Sequence, residues 1–246
     1  MRTFTIQAVP IVLEEFPGVW MPSPNGLFYA NHLEVAPGER IIDIGTGSGI
    51  LAIWAAKAGA VAHATDTDER AVRAARHNAG LNAVSVMLDH GELFGSLPGP
   101  FDAIFANLPN EIVAPAHLAE LTLDDQRVLG GGPDGNAALL ALLDAAPPYM
   151  HATSRLYLAV HSLTNYQRTL RHALARYRLC LRGLAELPAK AFVAAHAPFY
   201  RQLQSAGTIA LTERQGAFFT VGYVYELRLA AAAGTQSDAH LSSGLS

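Results

Sequence analysis

One glycine-rich segment of the chain combines an acidic residue with a backbone that can approach a ligand closely. It runs Asp43-Ile44-Gly45-Thr46-Gly47-Ser48-Gly49 and follows a short apolar run. Glycine permits tight turns and close ligand approach, and in open α/β sheets ligands bind beyond the carboxyl ends of the strands. A dinucleotide fingerprint is G-x-G-x-x-G, but Ile50 stands where its third glycine would fall. Because Asp43 disfavours a pyrophosphate and attracts a cation, the segment predicts a positively charged ligand.

Further acidic residues follow the next two predicted strands. Asp66 ends the second strand, where a carboxylate can accept hydrogen bonds from both hydroxyls of a ribose. Asp68 is better placed to cap the helix that follows. Glu92, with Asp89 as the second choice, comes after the third strand and is predicted to accept from the exocyclic amine of adenine. S-adenosylmethionine (SAM) combines adenine, ribose, an ammonium group and a sulfonium, and is therefore the ligand we expect.

The elements that position these residues alternate between strands and helices. Strands are predicted over residues 41–44, 61–65, 84–88, 101–106, 155–160, 179–184 and 218–229. Helices are predicted over residues 25–35, 50–60, 69–76, 136–146 and 165–177. This alternation predicts an α/β fold with a mostly parallel seven-stranded sheet and helices on both of its faces.

Composition divides the chain into three parts. Residues 1–39 are interrupted by prolines and are predicted to form a lid segment, in which Trp20, Phe28 and Tyr29 are candidates to cover the ligand. Residues 40–229 are predicted to form one SAM-binding catalytic domain. Residues 230–246 are small and polar, which predicts a disordered tail.

Several segments resemble class I SAM-dependent methyltransferases. They are Asp43 to Ala60, Thr65 to Asn82 and Phe101 to Asn107. Within that group, Thr46 to Ile53 and Asn78 to Asn82 look like ribosomal-protein methyltransferases, and Gly131 to Gly135 looks like release-factor glutamine N5-methyltransferases. The resemblance implies a Rossmann-like fold, SAM as cofactor and methyl transfer as the activity. It implies these cofactor-binding residues: Asp43, Gly45, Thr46, Gly47, Gly49, Asp66, Glu92 and Asn107.

The acceptor side of the resemblance rests on Asn107-Leu108-Pro109-Asn110, after the fourth strand. Members that methylate amides or amines carry Asn/Asp-Pro-Pro-Tyr/Phe here, where a side chain and a carbonyl accept from a planar NH₂ and the aromatic ring stacks on it. Asn107 and the Leu108 carbonyl are accordingly the predicted catalytic groups. Asn110 replaces the aromatic residue, which argues against planar acceptors such as glutamine amides and nucleobases. A hydroxyl acceptor would need a general base, for which the candidates are His161, Glu111 and His196.

The predicted function follows from the short segment that precedes the catalytic domain. Glutamine-methylating bacterial enzymes have a sizeable N-terminal helical domain for their protein substrate, whereas residues 1–39 suit a lid over a small one. We therefore predict methyl transfer from SAM to a small-molecule acceptor, with nitrogen as a candidate atom. One alternative is a cyclase or lyase that consumes SAM and releases methylthioadenosine. Others are a protein glutamine or lysine N-methyltransferase and a non-catalytic SAM-binding protein.

Charge and cysteine content narrow the partners. The 246 residues carry a formal net charge of −4, which gives no bulk attraction to nucleic acid. The expected partner is therefore the small-molecule substrate, with a protein substrate as the alternative. The single cysteine, Cys180, excludes an intrachain disulfide and cysteine-pair metal sites, so no metal is predicted. No apolar run approaches the ~20 residues of a membrane span, and no signal peptide is recognisable. A cytoplasmic location is expected by default.

Overall fold

The computed structural model describes residues 1–122, 126 and 131–230. The predicted tail from residue 231 onward, and Gly130 beside the glycine segment 131–135, lie outside the described residues. The strands are β1 (Arg2–Ile6), β2 (Val9–Leu13), β3 (Arg40–Ile44), β4 (Val61–Asp66), β5 (Val86–His90), β6 (Phe101–Ala106), β7 (Met150–His161), β8 (Tyr177–Pro188), β9 (Thr212–Arg214) and β10 (Ala217–Leu229). The helices are α1 (Pro24–Ala30), α2 (Ile50–Lys57), α3 (Glu69–Leu81), α4 (Pro115–Glu120), α5 (Ala137–Ala145), α6 (Tyr166–Leu174), α7 (Ala191–Ala195) and α8 (Ala197–Ser205).

The main sheet has the strand order β5-β4-β3-β6-β7-β10-β8, with β9 paired to β10. The pairs from β5 to β7 are parallel, and β10 runs antiparallel to β7, β8 and β9. Each of the seven predicted strands has a counterpart in this sheet, whereas β9 and the separate β1–β2 hairpin were not predicted. The mostly parallel Rossmann-like α/β fold expected from the sequence is confirmed.

Alternation along the central strands buries both faces of the sheet. On β3, Ile41 packs in one apolar cluster with Trp54 of α2, and the next residue, Ile42, packs in another with Leu139 of α5. Successive side chains of a strand point to opposite faces, and a parallel sheet covered on both sides therefore reads as a continuous apolar run. The helices lie on both faces, as predicted.

The position of the site follows from the order in which the chain builds the sheet. From the central strand β3 the chain moves outward to β4 and β5, and then returns to β6 on the other side of β3. The connections after β3 and β6 therefore leave in opposite directions and open a crevice between the two carboxyl ends. Asp43 and Asn107 lie at this crevice.

The N-terminal hairpin belongs to the apolar core of the sheet. Ile6, Ile11 and Leu13 are fully buried and share a cluster with Trp54. Residues 24–30 form the short helix α1, which ends earlier than the predicted 25–35. The predicted boundary between a lid segment and the catalytic domain at residue 39 stays a prediction. In the structure the hairpin packs against α2, and only the stretch of the N-terminal segment that follows the hairpin reaches the site.

Two differences from the predicted elements have local causes. The amide of Val84 donates to the Ala79 carbonyl, so that Val84 completes the turn that ends α3 and β5 begins at Val86. The sequence predicted no helix between residues 191 and 205, but the structure has α7 and α8 there. Small residues precede Pro198, which stands at the start of α8. Across the described ranges, no helix is both long and apolar enough to cross a membrane.

Tyr29 ties α1 to the middle of the sheet. Its hydroxyl donates to the Tyr157 carbonyl at 2.9 Å and accepts from the Ala106 amide at 2.9 Å, and all three groups are buried. Tyr29→Phe leaves a buried N–H and a buried C=O without this partner, so we expect a loss of about 1–3 kcal/mol in the free energy of unfolding. Urea unfolding measures the loss. Tyr225→Phe is the matched control, because the Tyr225 hydroxyl makes no hydrogen bond within the described residues; equal stability of both variants would contradict this role.

Candidate active site

A cavity of about 670 Å³ lies beyond the carboxyl ends of β3, β4, β6 and β7. It is bounded by the glycine loop after β3, by residues 18–30 and by residues 107–111. Most of the sequence-predicted site residues line it: Asp43, Gly45, Thr46, Gly47, Asp66, Glu92, Asn107 and Leu108. Gly49 is not in the lining, and its position is explained by packing, since an added Cβ would meet Ala75 of α3 at 3.0 Å.

The glycine loop presents backbone to the cavity at Gly45, where an added side chain would be both crowded and strained. Gly45 has φ +70°, and a Cβ there would lie 2.7 Å from Cδ2 of Leu108. The amides of Gly45 and Thr46 both donate to the Thr65 carbonyl, at 2.9 and 3.0 Å, which fixes the loop to β4. The loop is therefore a rigid backbone cradle of the kind that a ligand can approach closely.

Asp43 is a buried carboxylate under this cradle, with 1% of its surface exposed. Its Oδ2 accepts from the Thr46 hydroxyl at 2.6 Å. Burial raises the pKa of Asp43 to about 7, and the negative charge of Asp66 adds to the shift. Within the described residues no cationic side chain forms an ion pair with it. Asp43 thus lacks the positive partner that a buried carboxylate ordinarily has, and a cationic ligand in the cavity would supply it.

Asp66 lines the cavity at the end of β4, and its two oxygens organise the loops around it. Oδ2 accepts from the Gly47 amide and Oδ1 from the Asp68 amide, each at 2.9 Å. Burial raises the pKa of Asp66 above its usual value. The Asp68 side chain accepts from the Arg70 amide and caps α3, where the sequence had predicted a cap.

The two candidates for adenine recognition differ in position. Glu92 is exposed and lines the cavity. Asp89 is not in the lining, and its Oδ2 accepts from both the amide and the hydroxyl of Ser96, at 2.6 and 2.9 Å. This geometry favours Glu92 over Asp89, and the adenine role of Glu92 stays a prediction.

The two asparagines in the segment after β6 differ in burial and in hydrogen bonding. Asn107 is exposed at the cavity and has no hydrogen-bond partner among the described residues. Asn110 is buried, and its Nδ2 donates to the Leu108 carbonyl at 2.9 Å and to the Ala159 carbonyl at 3.1 Å. Asn110 therefore joins this segment to β7, and the Leu108 carbonyl already accepts one hydrogen bond. No aromatic ring stands at this position to stack on a planar acceptor.

A part-buried ion pair lies at the same end of the cavity, between a buried Glu111 and a Lys190 side chain that is 34% exposed. Lys190 Nζ is 2.8 Å from Glu111 Oε2, and both residues line the cavity. The Lys190 ammonium also lies 5.5 Å from the ring centroid of Trp20, within cation–π range. The sequence analysis named Glu111 but missed Lys190, since nothing local in the sequence relates two residues so far apart in the chain.

His161 completes this end of the cavity. Its Nε2 lies 3.1 Å from both Asn25 Nδ2 and Thr220 Oγ1, and its Nδ1 lies 3.9 Å from Glu111 Oε1. Burial lowers the pKa of His161, which keeps the imidazole neutral near pH 7. We call Asn25, Glu111, His161 and Lys190 the acceptor-side cluster. His196, the third base candidate, is not in the cavity lining.

The predicted lid residues border the same cavity. Trp20, Phe28 and Tyr29 all line it, with Trp20 the most exposed at 41% and Tyr29 buried at 1%. Their position is consistent with a cover over the ligand, and movement of this stretch stays a prediction.

A Rossmann-like sheet, an acidic residue before a glycine cradle and an acid at the next strand end are features of the class I SAM-dependent methyltransferases. The resemblance to this superfamily that the sequence predicted is confirmed. Residues 28–125 match the family model of ribosomal protein L11 methyltransferase. The match covers less than half of the chain.

Named relatives agree with this assignment. The chain is 39% identical over 123 residues to a ribosomal protein L11 methyltransferase of Thermus thermophilus, covering 48% of this chain and 44% of the relative. It is 29% identical over 178 residues to a ribosomal RNA small subunit methyltransferase C of Chromohalobacter salexigens, covering 70% of this chain and 48% of the relative. The chain thus spans less than half the length of these relatives.

A solved structure shows the same fold. The 16S rRNA N2 G1207 methyltransferase of T. thermophilus, in complex with AdoMet and guanosine, aligns with a TM-score of 0.60 and 18% identity. The alignment covers 75% of this chain and 47% of that one. At this identity the likeness concerns the fold.

These relatives correct two predictions from the sequence. The predicted small-molecule acceptor, and the argument against nucleic acid, are wrong, because the relatives are named for a ribosomal protein and for ribosomal RNA. A short lid does not limit the size of an acceptor when only one group of a macromolecule enters the cavity, and net charge does not report the local surface. Neither relative is named for SAM cyclisation or cleavage, so that alternative is dropped. The protein N-methyltransferase alternative has the better support.

The first test of the site concerns Asp66. Because Asp66 is the acid predicted to accept from the ribose and also holds the Gly47 amide, Asp66→Ala should weaken SAM binding at least tenfold, or by about 1.4 kcal/mol. Titration calorimetry measures the Kd. Asp144→Ala is the control, since Asp144 is a carboxylate outside the cavity lining that pairs with His172 and Arg176. An unchanged Kd for Asp66→Ala would remove Asp66 from the site.

A second test uses the pKa of Asp43. A cation binds the ionised carboxylate, so SAM affinity should be highest above pH 7 and fall as Asp43 takes up a proton. With a pKa of about 7, the expected loss is roughly fivefold between pH 7 and pH 6 and about tenfold per unit below that. Asp43→Asn should bind more weakly and lose most of this dependence. The same pH dependence in Asp43→Asn would show that another group, such as His161, causes it.

Proposed function

We propose that the chain is a SAM-dependent N-methyltransferase whose acceptor is an aliphatic amine of a protein, with a ribosomal protein as the leading candidate. The observation that carries this proposal is the acceptor end of the cavity. It offers an Asn107 amide that has no hydrogen-bond partner among the described residues, the carboxylate of Glu111 and the neutral imidazole of His161, and position 110 carries no aromatic ring.

The residues that would hold SAM fit its chemistry. Asp43 is a buried carboxylate that lacks a cationic partner in the described chain, and the glycine cradle leaves no space that a Cβ at Gly45 could occupy. Asp66 and Glu92 are acids on the same cavity that suit the ribose and the adenine. When bound there, SAM supplies an electrophilic methyl group on a sulfonium.

The acceptor class follows from what the segment 107–110 can and cannot do. Asn107 can accept a hydrogen bond from an N–H and orient a nitrogen. The buried Asn110 is committed to the Leu108 and Ala159 carbonyls, so it offers a planar group neither a stacking face nor a free amide. A tetrahedral amine needs no such stacking. This supports a lysine side chain or an α-amine over a glutamine amide or a nucleobase.

The acceptor-side cluster supplies the remaining requirements of an amine acceptor. An alkylammonium must lose a proton before its nitrogen has a lone pair to donate. Glu111 and His161 are both proton acceptors at this end of the cavity. Oε2 of Glu111 is paired with Lys190, so Oε1 is the oxygen that could meet an ammonium. Burial and closure by Trp20 and α1 would exclude water and keep the two reactants aligned, where most of the rate enhancement of such a displacement arises.

The choice of a protein over RNA rests on the acceptor segment and on the relatives. Asn110 offers no stacking face, so the segment favours an amine over a nucleobase. The family model and the Thermus thermophilus relative are named for a ribosomal protein.

The test is to incubate the purified chain with SAM, ribosomal protein L11 and, separately, ribosomal RNA, and to locate new methyl groups by mass spectrometry. We expect them on lysine side chains or the α-amine of the protein. Methylation confined to glutamine or to RNA would contradict the proposal.

A variant separates the acceptor end from the SAM end. Glu111→Gln leaves the Lys190 ammonium without its carboxylate partner, so the acceptor end becomes positive and repels an ammonium. We expect kcat/KM for the protein acceptor to fall at least tenfold, mainly through KM, while the Kd for SAM stays within about twofold. Glu186→Gln is the control, because Glu186 pairs with the exposed Arg214 outside the cavity lining. Equal kcat/KM for Glu111→Gln and the wild type would refute the role of Glu111.

A further inference from the structure

The ring nitrogens of most described histidines have a hydrogen-bond partner. These histidines are His32, His63, His77, His90, His151, His161 and His172. Two depart from this pattern in the described part of the chain. The His196 imidazole makes no hydrogen bond, and the His117 imidazole has only Glu120 Oε2, at 3.5 Å from Nδ1.

The imidazole rings of His117 and His196 lie close together. Their ring centroids are 5.5 Å apart, and one ligand atom from each of His117, Glu120 and His196 lies within 4.8 Å of the others. His117 and Glu120 share a face of α4 because they are three residues apart. His196 sits at the junction of α7 and α8.

Local packing holds the first of these rings in place. The His117 imidazole stacks on Phe192 at a centroid distance of 5.1 Å and an interplanar angle of 24°. Phe192 is buried in the apolar cluster that contains Ile112 and Val113. One imidazole is thereby oriented before any ligand arrives, while the Glu120 side chain, 67% exposed, is free to adjust.

We propose that His117, Glu120 and His196 bind a divalent transition metal of the zinc class. Two imidazoles and one carboxylate are donors that suit Zn²⁺, with a water as the fourth ligand of a tetrahedral site. Bonds of about 2.0–2.2 Å require the three donor atoms to move closer together than their present spacing, by side-chain rotation. Magnesium and calcium, which prefer oxygen donors, should bind poorly.

The metal would have a structural role rather than a catalytic one, because none of its three ligands lines the cavity of the candidate active site. Helix α4 begins four residues after Glu111, and α7 begins directly after Lys190. A metal bound between α4 and the α7–α8 junction would therefore join the same two segments that the Glu111–Lys190 ion pair joins. This proposal does not depend on the proposed activity, because metal binding is measured without SAM or acceptor.

The test is calorimetric titration of the EDTA-treated and desalted chain with zinc chloride, with Co²⁺ absorption as a second measurement. The wild type should bind one equivalent, and the Co²⁺ form should show the intense visible bands of a tetrahedral complex. His196→Ala and His117→Ala should each weaken zinc binding at least tenfold. His172→Ala is the control, since His172 is a half-exposed histidine that pairs with Asp144.

Circular dichroism is used to check that the variants are folded. Glu120→Gln changes the third proposed ligand, which lies at an exposed position. Equal zinc affinity in the wild type, His196→Ala and His117→Ala would overturn the proposal. So would binding that His172→Ala weakens as strongly as the other two. Magnesium chloride in place of zinc should give no comparable heat, and equal binding of both metals would also count against the site.

Discussion

A buried carboxylate without a cationic partner in the described chain is the constraint on which the site depends. Asp43 lies on the central strand, where the sheet is covered on both faces, and among the described residues the Thr46 hydroxyl is the one side chain that donates to it. Burial raises its pKa to about 7, because a charge without water around it is unfavourable there. The buried charge lies at the point where β3 and β6 diverge. The glycine cradle leaves the carboxylate beside a cavity rather than beside a lysine or arginine. A cationic ligand is the simplest group to relieve it.

The two ends of the cavity are built by different means. The cofactor end is local: the loop, Asp66 and the capped helix α3 lie within a short stretch of sequence and are joined by backbone amides. The acceptor end is assembled from distant segments, since Asn25, Glu111, His161 and Lys190 come from α1, from the loop after β6, from the end of β7 and from the residue before α7. Tyr29 links the cofactor end and the acceptor end of the cavity, because its hydroxyl fixes α1 to β6 and β7. A change of acceptor can therefore be made without rebuilding the cofactor end.

This difference explains what the sequence could predict. The central strands, the glycine cradle and the cap at Asp68 depend on residues close in the chain, and the structure has them as expected. Lys190 could not be predicted, because its contact with Glu111 exists only after the sheet has formed. Asn110 looked like a lost stacking residue, and its use as a bridge between Leu108 and Ala159 needed coordinates. The acceptor was predicted wrongly because the length of the N-terminal segment was taken as a measure of acceptor size. That segment forms a hairpin in the core, and only residues 18–30 border the cavity.

The most direct measurement of the central claim is a crystal structure of the chain with S-adenosylhomocysteine. The account predicts electron density in the cavity, with the amino-acid portion beside the glycine cradle and Asp43, the ribose at Asp66, and the sulfur directed toward Asn107 and the acceptor-side cluster. Density elsewhere on the protein, or an amino-acid portion remote from Asp43, would contradict it.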